Sequence, residues 1–172
     1  MTESEIIKVL WNQYGAGQTA GHNMYYYAFE SDFLVLRDSG TVIEYEIKLS
    51  KSDYNAGLKK RQCLHRKDKK RRVKMRYSGQ KPITRHEYLQ AGYGANMFYY
   101  VAPESVLNSV DLPEWAGFIE ARERGDGRIA TQINKRAPKL HKKKASDNLK
   151  KKILTSIYYK YWHYTAKKVM DK

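Results

Sequence analysis

The chain is poor in the residues that cross-link, anchor or interrupt a fold. Of its 172 residues one is cysteine, Cys63, so neither an intramolecular disulfide nor a cysteine-based metal cluster is available. Cys63 has no matched base partner in the sequence, which argues against a thiol nucleophile. The five histidines show no metal-ligand spacing with one another, which argues against a zinc site. The glycine pairs Gly15/Gly17, Gly92/Gly94 and Gly125/Gly127 lack the remainder of any nucleotide-binding fingerprint. No apolar run approaches the roughly 18–20 residues that span a bilayer. Met1-Thr2-Glu3-Ser4-Glu5 lacks the basic-then-apolar layout of a signal peptide. Acidic residues are scarce as well, 18 against 33 Lys and Arg, for a net charge of +15. The expectation is one cytoplasmic domain over residues 1–172, monomer or homodimer, with a polyanionic partner and no membrane.

The charge is distributed unevenly. Residues 1–58 hold four basic residues against eight acidic ones. Residues 59–81 hold twelve basic residues and one acid, Asp68, and residues 135–172 hold thirteen against Asp147 and Asp171. The positive charge thus sits in two blocks, while the acidic N-terminal third has carboxylates available for a separate task.

Apolar spacing predicts a helix over 2–13, with Thr2 or Ser4 as its cap. An aromatic-rich strand over 22–30 and a second over 32–37 follow. The Asp38-Ser39-Gly40 turn leads into a third over 41–49, completing an antiparallel meander. A helix starts near Ser50 or Ser52 and runs to about Cys63. After the basic insertion 59–82, Thr84 and Glu87 form a capping box for a short helix that Gly92-Tyr93-Gly94 ends. Residues 97–102 are apolar on both faces, as a strand inside a sheet requires, and the intervening helices imply a parallel crossover. Strands over 118–121 and 128–133 follow. A C-terminal basic helix over about 146–169 carries the stripe Ile153, Leu154, Ile157, Tyr158, Tyr161, Trp162 and Val169, read as core or dimer surface.

Side chains alternate across a strand. On the third strand Ile43, Tyr45, Ile47 and Leu49 therefore form one face, and Val42, Glu44, Glu46 and Lys48 the other, with neighbours about 7 Å apart. The turn lays this strand beside Asp32, Leu34 and Leu36. Converging carboxylates repel, and a cation is their natural neutraliser; an all-oxygen donor set suits a hard ion such as Mg²⁺. Lys48 is placed to orient or activate a water, and a metal-bound water facing a phosphodiester is a hydrolysis site. The plainer alternative for Glu44, Glu46 and Lys48 is a solvated sheet face with ordinary surface ion pairs.

Asp32, followed by Glu46-Ile47-Lys48, resembles the PD-(D/E)xK signature of the restriction-endonuclease-like nuclease superfamily, with Ser31 in place of the proline. The stretches 46–54, His86-Glu87-Tyr88-Leu89, 98–104 and 113–119 extend the likeness over roughly residues 24–140, to a bacterial and phage branch of small nuclease-like proteins that includes DNA-repair proteins. The resemblance implies an α/β fold with an αβββαβ core. A central mixed sheet would be flanked by helices, with the core within about 1–140. It implies Asp32 and Glu46 as metal-binding carboxylates, the Ile47 carbonyl as a further ligand and Lys48 as the catalytic lysine. A first-helix glutamate, Glu5 or else Glu3, would add a ligand. The implied activity is Mg²⁺- or Mn²⁺-dependent DNA hydrolysis in a bacterial or phage-infected cell.

The expected grip on DNA is Lys51, Lys59, Lys60, Arg61, Lys69, Lys70, Arg71, Arg72, Lys74 and Arg76, with Lys142, Lys143 and Lys144 behind them. Tyr77 is a candidate stacking residue. His86 matches a position of the family that could assist substrate contacts. Such lysines and arginines read phosphates rather than sequence. Two rivals use the same charge: a DNA-binding module on the same fold without chemistry, and an RNA- or ribosome-associated basic protein, which leaves the carboxylate face unexplained.

Overall fold

The computed structural model describes residues 1–27, 29–62 and 83–170. The N-terminal helix α1 (Glu3–Leu10) starts where Thr2 accepts from the Glu5 amide while Glu5 reaches back to the Thr2 amide, a reciprocal cap. It ends in a single π-helical turn, Trp11–Gly15. Three antiparallel strands follow, β1 (Thr19–Tyr25), β2 (Glu30–Leu36) and β3 (Val42–Ile47). β1 starts three residues earlier than the aromatic run suggests. Tyr25 pairs with Glu30, so Tyr26 and its neighbours make the connection, and Tyr26 and Phe29 turn inward.

Ser50 caps α2 (Lys51–Lys59) by accepting from the Asp53 amide. Two-residue strands β4 (Arg61–Gln62) and β5 (Ile83–Thr84) pair with each other, and Thr84 with Glu87 closes the expected capping box on α3 (Arg85–Gln90). β6 (Met97–Pro103) lies parallel to β3, as the crossover reading requires. A short α4 (Glu104–Leu107) leads to β7 (Gly117–Glu123), parallel to β6, and β8 (Ile129–Lys135) returns antiparallel. The six-stranded mixed sheet therefore has the order β1-β2-β3-β6-β7-β8. Helix α5 (Asp147–Met170) ends the described chain.

The alternation of β3 sorts the core. Ile43, Tyr45 and Ile47 join Phe33, Val35, Val101 and Ile119 beneath Ile6 and Leu10 of α1. Tyr45 stacks between Tyr14 and Tyr99 at centroid distances of 5.6 and 5.5 Å. The opposite face holds Phe98, Tyr100 and Phe118 under Tyr54 of α2 and Leu89 of α3. Farther along, Leu34, Leu36 and Val42 lie under Ile153 of α5. α1 and the even-numbered residues of β3 are on opposite sides of the sheet.

Asn96, just before β6, is a buried tie. Its Oδ1 accepts from the Val42 amide at 2.8 Å, and its Nδ2 donates to the carbonyls of His141 and Lys143 at 3.0 and 2.7 Å. Asn96→Ala leaves these groups without their partner, and a loss of about 2–3 kcal/mol is expected in urea unfolding. A loss below about 0.5 kcal/mol would show the tie to be dispensable.

Candidate active site

β2 and β3 stay in register as far as Phe33 opposite Tyr45. Beyond that pair the ladder is replaced by a side chain: Asp32 Oδ2 accepts from the Ile47 amide at 2.7 Å. On its other side the β1–β2 pairing skips Asp32 together with Asn23, which has φ of +48°. Asp32 thus sits where both ladders loosen, on the same face as Glu44 and Glu46.

That face is not solvated. Glu44, Glu46 and Lys48 are 4%, 8% and 6% exposed, which removes the surface-pair reading of this strand. Two cations neutralise the acids. Lys48 Nζ lies 3.1 Å from Glu46 Oε1 and 3.2 Å from Asp53 Oδ1. The Arg85 guanidinium pairs through Nη1 with Glu46 Oε2 and lies 4.0 Å from Glu44 Oε1. Its Nη2 donates to the Glu30 carbonyl, and the Ser31 hydroxyl donates to Glu44 Oε1 at 2.7 Å. Both carboxylate oxygens of Glu46 are therefore engaged.

Burial, reinforced by the Glu46 carboxylate, pushes Asp32 up to about 7, despite the Ile47 amide that favours its charged form. Burial likewise raises Glu44, against the pull of Arg85. For Lys48, burial opposes the ammonium, but Glu46, Asp53 and Asp32 outweigh it and hold the amine above its ordinary range. A lysine so held is protonated at neutral pH. Of the two roles expected for Lys48, this environment suits orienting a water or phosphate, not removing a proton.

Arg85 carries no signal in the nuclease-like motif, yet the sequence does mark it. It stands in the first turn of α3, where the helix dipole disfavours a cation. An arginine there has another task, and here the task is to enter the carboxylate face. Asp53 is the second residue beyond the expected set, brought in by the Ser50 cap.

Other expected site residues lie elsewhere. Glu5 is taken up by the cap of α1, and the cleft it lines is made with Lys8, Asn12 and Arg128, on the far side of the sheet from Asp32 and Glu46. It is not brought to the cluster, because Ile6 and Leu10 fix α1 on the other face. Glu3 is exposed on the same helix. His86 is half-buried, and its Nε2 accepts from the Trp115 indole at 2.7 Å, so its imidazole serves packing rather than an open surface. Lys51, Lys59, Lys60, Lys142, Lys143 and Lys144 are exposed as expected. Arg61 belongs to β4, while Lys69, Lys70, Arg71, Arg72, Lys74, Arg76 and Tyr77 fall outside the described residues.

As a cation site, Asp32, Glu46 and the Ile47 carbonyl offer oxygen donors only, which suits Mg²⁺ completed by water and phosphate. Among the described residues no group of three or more His, Cys, Asp or Glu is arranged to hold a metal ion. The donor chemistry fits an ion shared with substrate, not a protein cage, and Arg85 competes for Glu46.

No protein-family model matches the chain, and no curated protein matches it significantly. A solved structure, the SPO1766 protein of unknown function from Silicibacter pomeroyi, is similar over 96% of this chain and 84% of that one, with a TM-score of 0.52 and 14% identity. At that identity the likeness concerns the fold, a six-stranded mixed α/β sheet flanked by helices. Among the described residues no helix is long and apolar enough to cross a membrane.

Proposed function

We propose that the protein is a metal-dependent deoxyribonuclease of the PD-(D/E)xK type. The observation that carries this reading is the convergence of half-buried Asp32 and buried Glu46 on one face of adjacent strands, with the Lys48 ammonium 3.1 Å from Glu46. Withdrawing carboxylates and cations from water together costs stability, and such clusters concentrate where the charges have a use. The order α1-β1-β2-β3-α2-β4-β5-α3-β6, with β4 and β5 paired outside the main sheet, supports the αβββαβ core that this reading requires.

Asp32, Glu46 and the Ile47 carbonyl would hold Mg²⁺ or Mn²⁺, which when bound supplies a nucleophilic water at neutral pH and charge neutralisation at phosphate. The chain's own part is positional. Asp32 is held by the Ile47 amide, Lys48 is fixed between Glu46 and Asp53, and the protonated Lys48 stabilises charge developing on the phosphodiester. Exposed lysines at both ends of α2 and over 142–144 bind the backbone without reading sequence.

A second reading is favoured by Arg85. Its guanidinium neutralises Glu46 as a cation would, which suits a module that binds DNA and does not cut it. Supercoiled plasmid and single-stranded DNA, incubated with Mg²⁺, Mn²⁺ or EDTA, separate the two. Cutting that requires metal and falls at least about 100-fold in Lys48→Ala is expected. Binding without cutting at any metal concentration would establish the module, and strong preference for RNA would defeat both.

A further inference from the structure

α5 is held to the sheet over its first half, as far as Lys160, whose ammonium donates to the His22 and Asn23 carbonyls of β1 at 2.5 and 2.7 Å. Ile153 is fully buried against Leu34, Leu36 and Val42, with Leu149 and Ile157 at the margin. From Tyr158 to Tyr164 every residue is exposed. Leu154, Tyr158, Tyr161 and Trp162 are 54%, 58%, 62% and 50% exposed. Their spacing of four, seven and eight residues from Leu154 sets them on one face. Trp162 meets Tyr158 and Tyr161 edge-on, each at a centroid distance of 6.0 Å. The stripe expected to be core or dimer surface is thus mostly open, and a contiguous exposed patch of rings calls for a partner.

The charge around the stripe selects that partner. Lys151, three residues before Leu154, is exposed on the same face, and exposed Lys142, Lys143 and Lys144 lead into the helix. Over its length α5 has six lysines and one acid, Asp147, which is paired with Lys150 at 3.1 Å. A second copy of the helix would meet like charge in either orientation. A polyanion with flat apolar groups of its own meets both features at once.

We propose that this face is a stacking platform for single-stranded nucleic acid, with bases lying on Tyr158, Tyr161 and Trp162 and phosphates reaching Lys151 and the lysines before the helix. Unpaired bases expose their ring faces and a duplex hides them, so the platform distinguishes strands by pairing rather than by sequence. It uses none of the residues of the carboxylate cluster and does not depend on catalysis.

The test is binding of the full chain, in EDTA, to fluorescent oligomers of about 20 nucleotides: poly-dT, poly-rU and a DNA duplex. Wild type is expected to bind single strands more tightly than duplex, with Trp162 fluorescence quenched; Trp162→Phe identifies that signal. The triple variant Tyr158→Ala, Tyr161→Ala, Trp162→Ala removes exposed rings only, and its unfolding midpoint reports that the fold is intact. It should lose at least about 10-fold in single-strand affinity, since one stacked base is worth about 5–150-fold, and under about 3-fold for duplex. The tighter of poly-dT and poly-rU names the source of the strand. Unchanged single-strand affinity in the variant overturns the proposal. So does a wild-type dimer that the variant dissociates without change in oligonucleotide affinity. Loss of binding to anionic vesicles with nucleic-acid affinity intact also overturns it, in favour of a lipid surface.

Discussion

Arg85→Ala is expected to destabilise the fold by about 3–5 kcal/mol, the cost of leaving buried carboxylates without their cation. The guanidinium serves Glu46 and Glu44 and donates to the Glu30 carbonyl. It also lies over the rings of Phe29 and Phe98, at 5.4 and 5.9 Å. Removing it leaves Lys48 as the remaining cation on Glu46 and strips the ring contacts. For a chain of this size the unfolding midpoint should fall by about 6–20 °C. Arg85→Lys should be intermediate, because an ammonium cannot reproduce the planar fork. The double variant Arg85→Leu, Glu46→Gln should recover much of the loss, since exchanging a buried pair for neutral groups is often near neutral. If Arg85→Ala stays within about 1 kcal/mol of wild type in urea, the guanidinium is not what neutralises the cluster. The same variant bears on cation binding: with the competitor gone, added Mg²⁺ should raise its midpoint more than that of wild type.

Asp32→Asn should stabilise the protein and abolish cutting. In the fold Asp32 titrates at about 7, against an ordinary value of 3.8. The native state therefore holds this proton more tightly than the unfolded chain does. Its stabilising contribution is present below about pH 4 and is lost as pH rises through 7. Asparagine keeps the oxygen that accepts from the Ile47 amide and carries no charge to desolvate. The gain over wild type should reach about 2–4 kcal/mol at pH 8 and shrink below about 1 kcal/mol at pH 4.5. Comparing the two proteins at each pH cancels the repulsion that the +15 charge imposes on both. A gain independent of pH would mean that Asp32 is not the titrating group. A stabilised but inactive variant is the signature of an acid retained for chemistry; a stabilised variant that still cuts would remove Asp32 from the proposed metal site.

How much was legible in advance differs by element. The reciprocal caps at Thr2–Glu5 and Thr84–Glu87 depend on three-residue spacing, and the alternation of β3 depends on period two, so both could be read locally. The parallel β3–β6 pairing followed from connection rules. The same locality sets the limits. Periodicity marks Leu154, Tyr158, Tyr161 and Trp162 as one face, but cannot say that the helix turns the neighbouring stripe of Ile153, Ile157 and Lys160 to the sheet. It marks Glu5 as a first-helix acid, but not the side of the sheet on which α1 packs.

The sequence by itself determined the segregation of charge, the meander and its crossover, and the sharing of one strand face by Glu44, Glu46 and Lys48. These are properties of neighbours in the chain. Only the tertiary structure decided that this face is buried, that Arg85 enters it from a helix 39 residues beyond Glu46, and that Asp32 leaves its ladder to bind the Ile47 amide. Those outcomes depend on long-range packing and on desolvation, which raises the Asp32 pKa toward neutrality and which no local pattern of residues encodes.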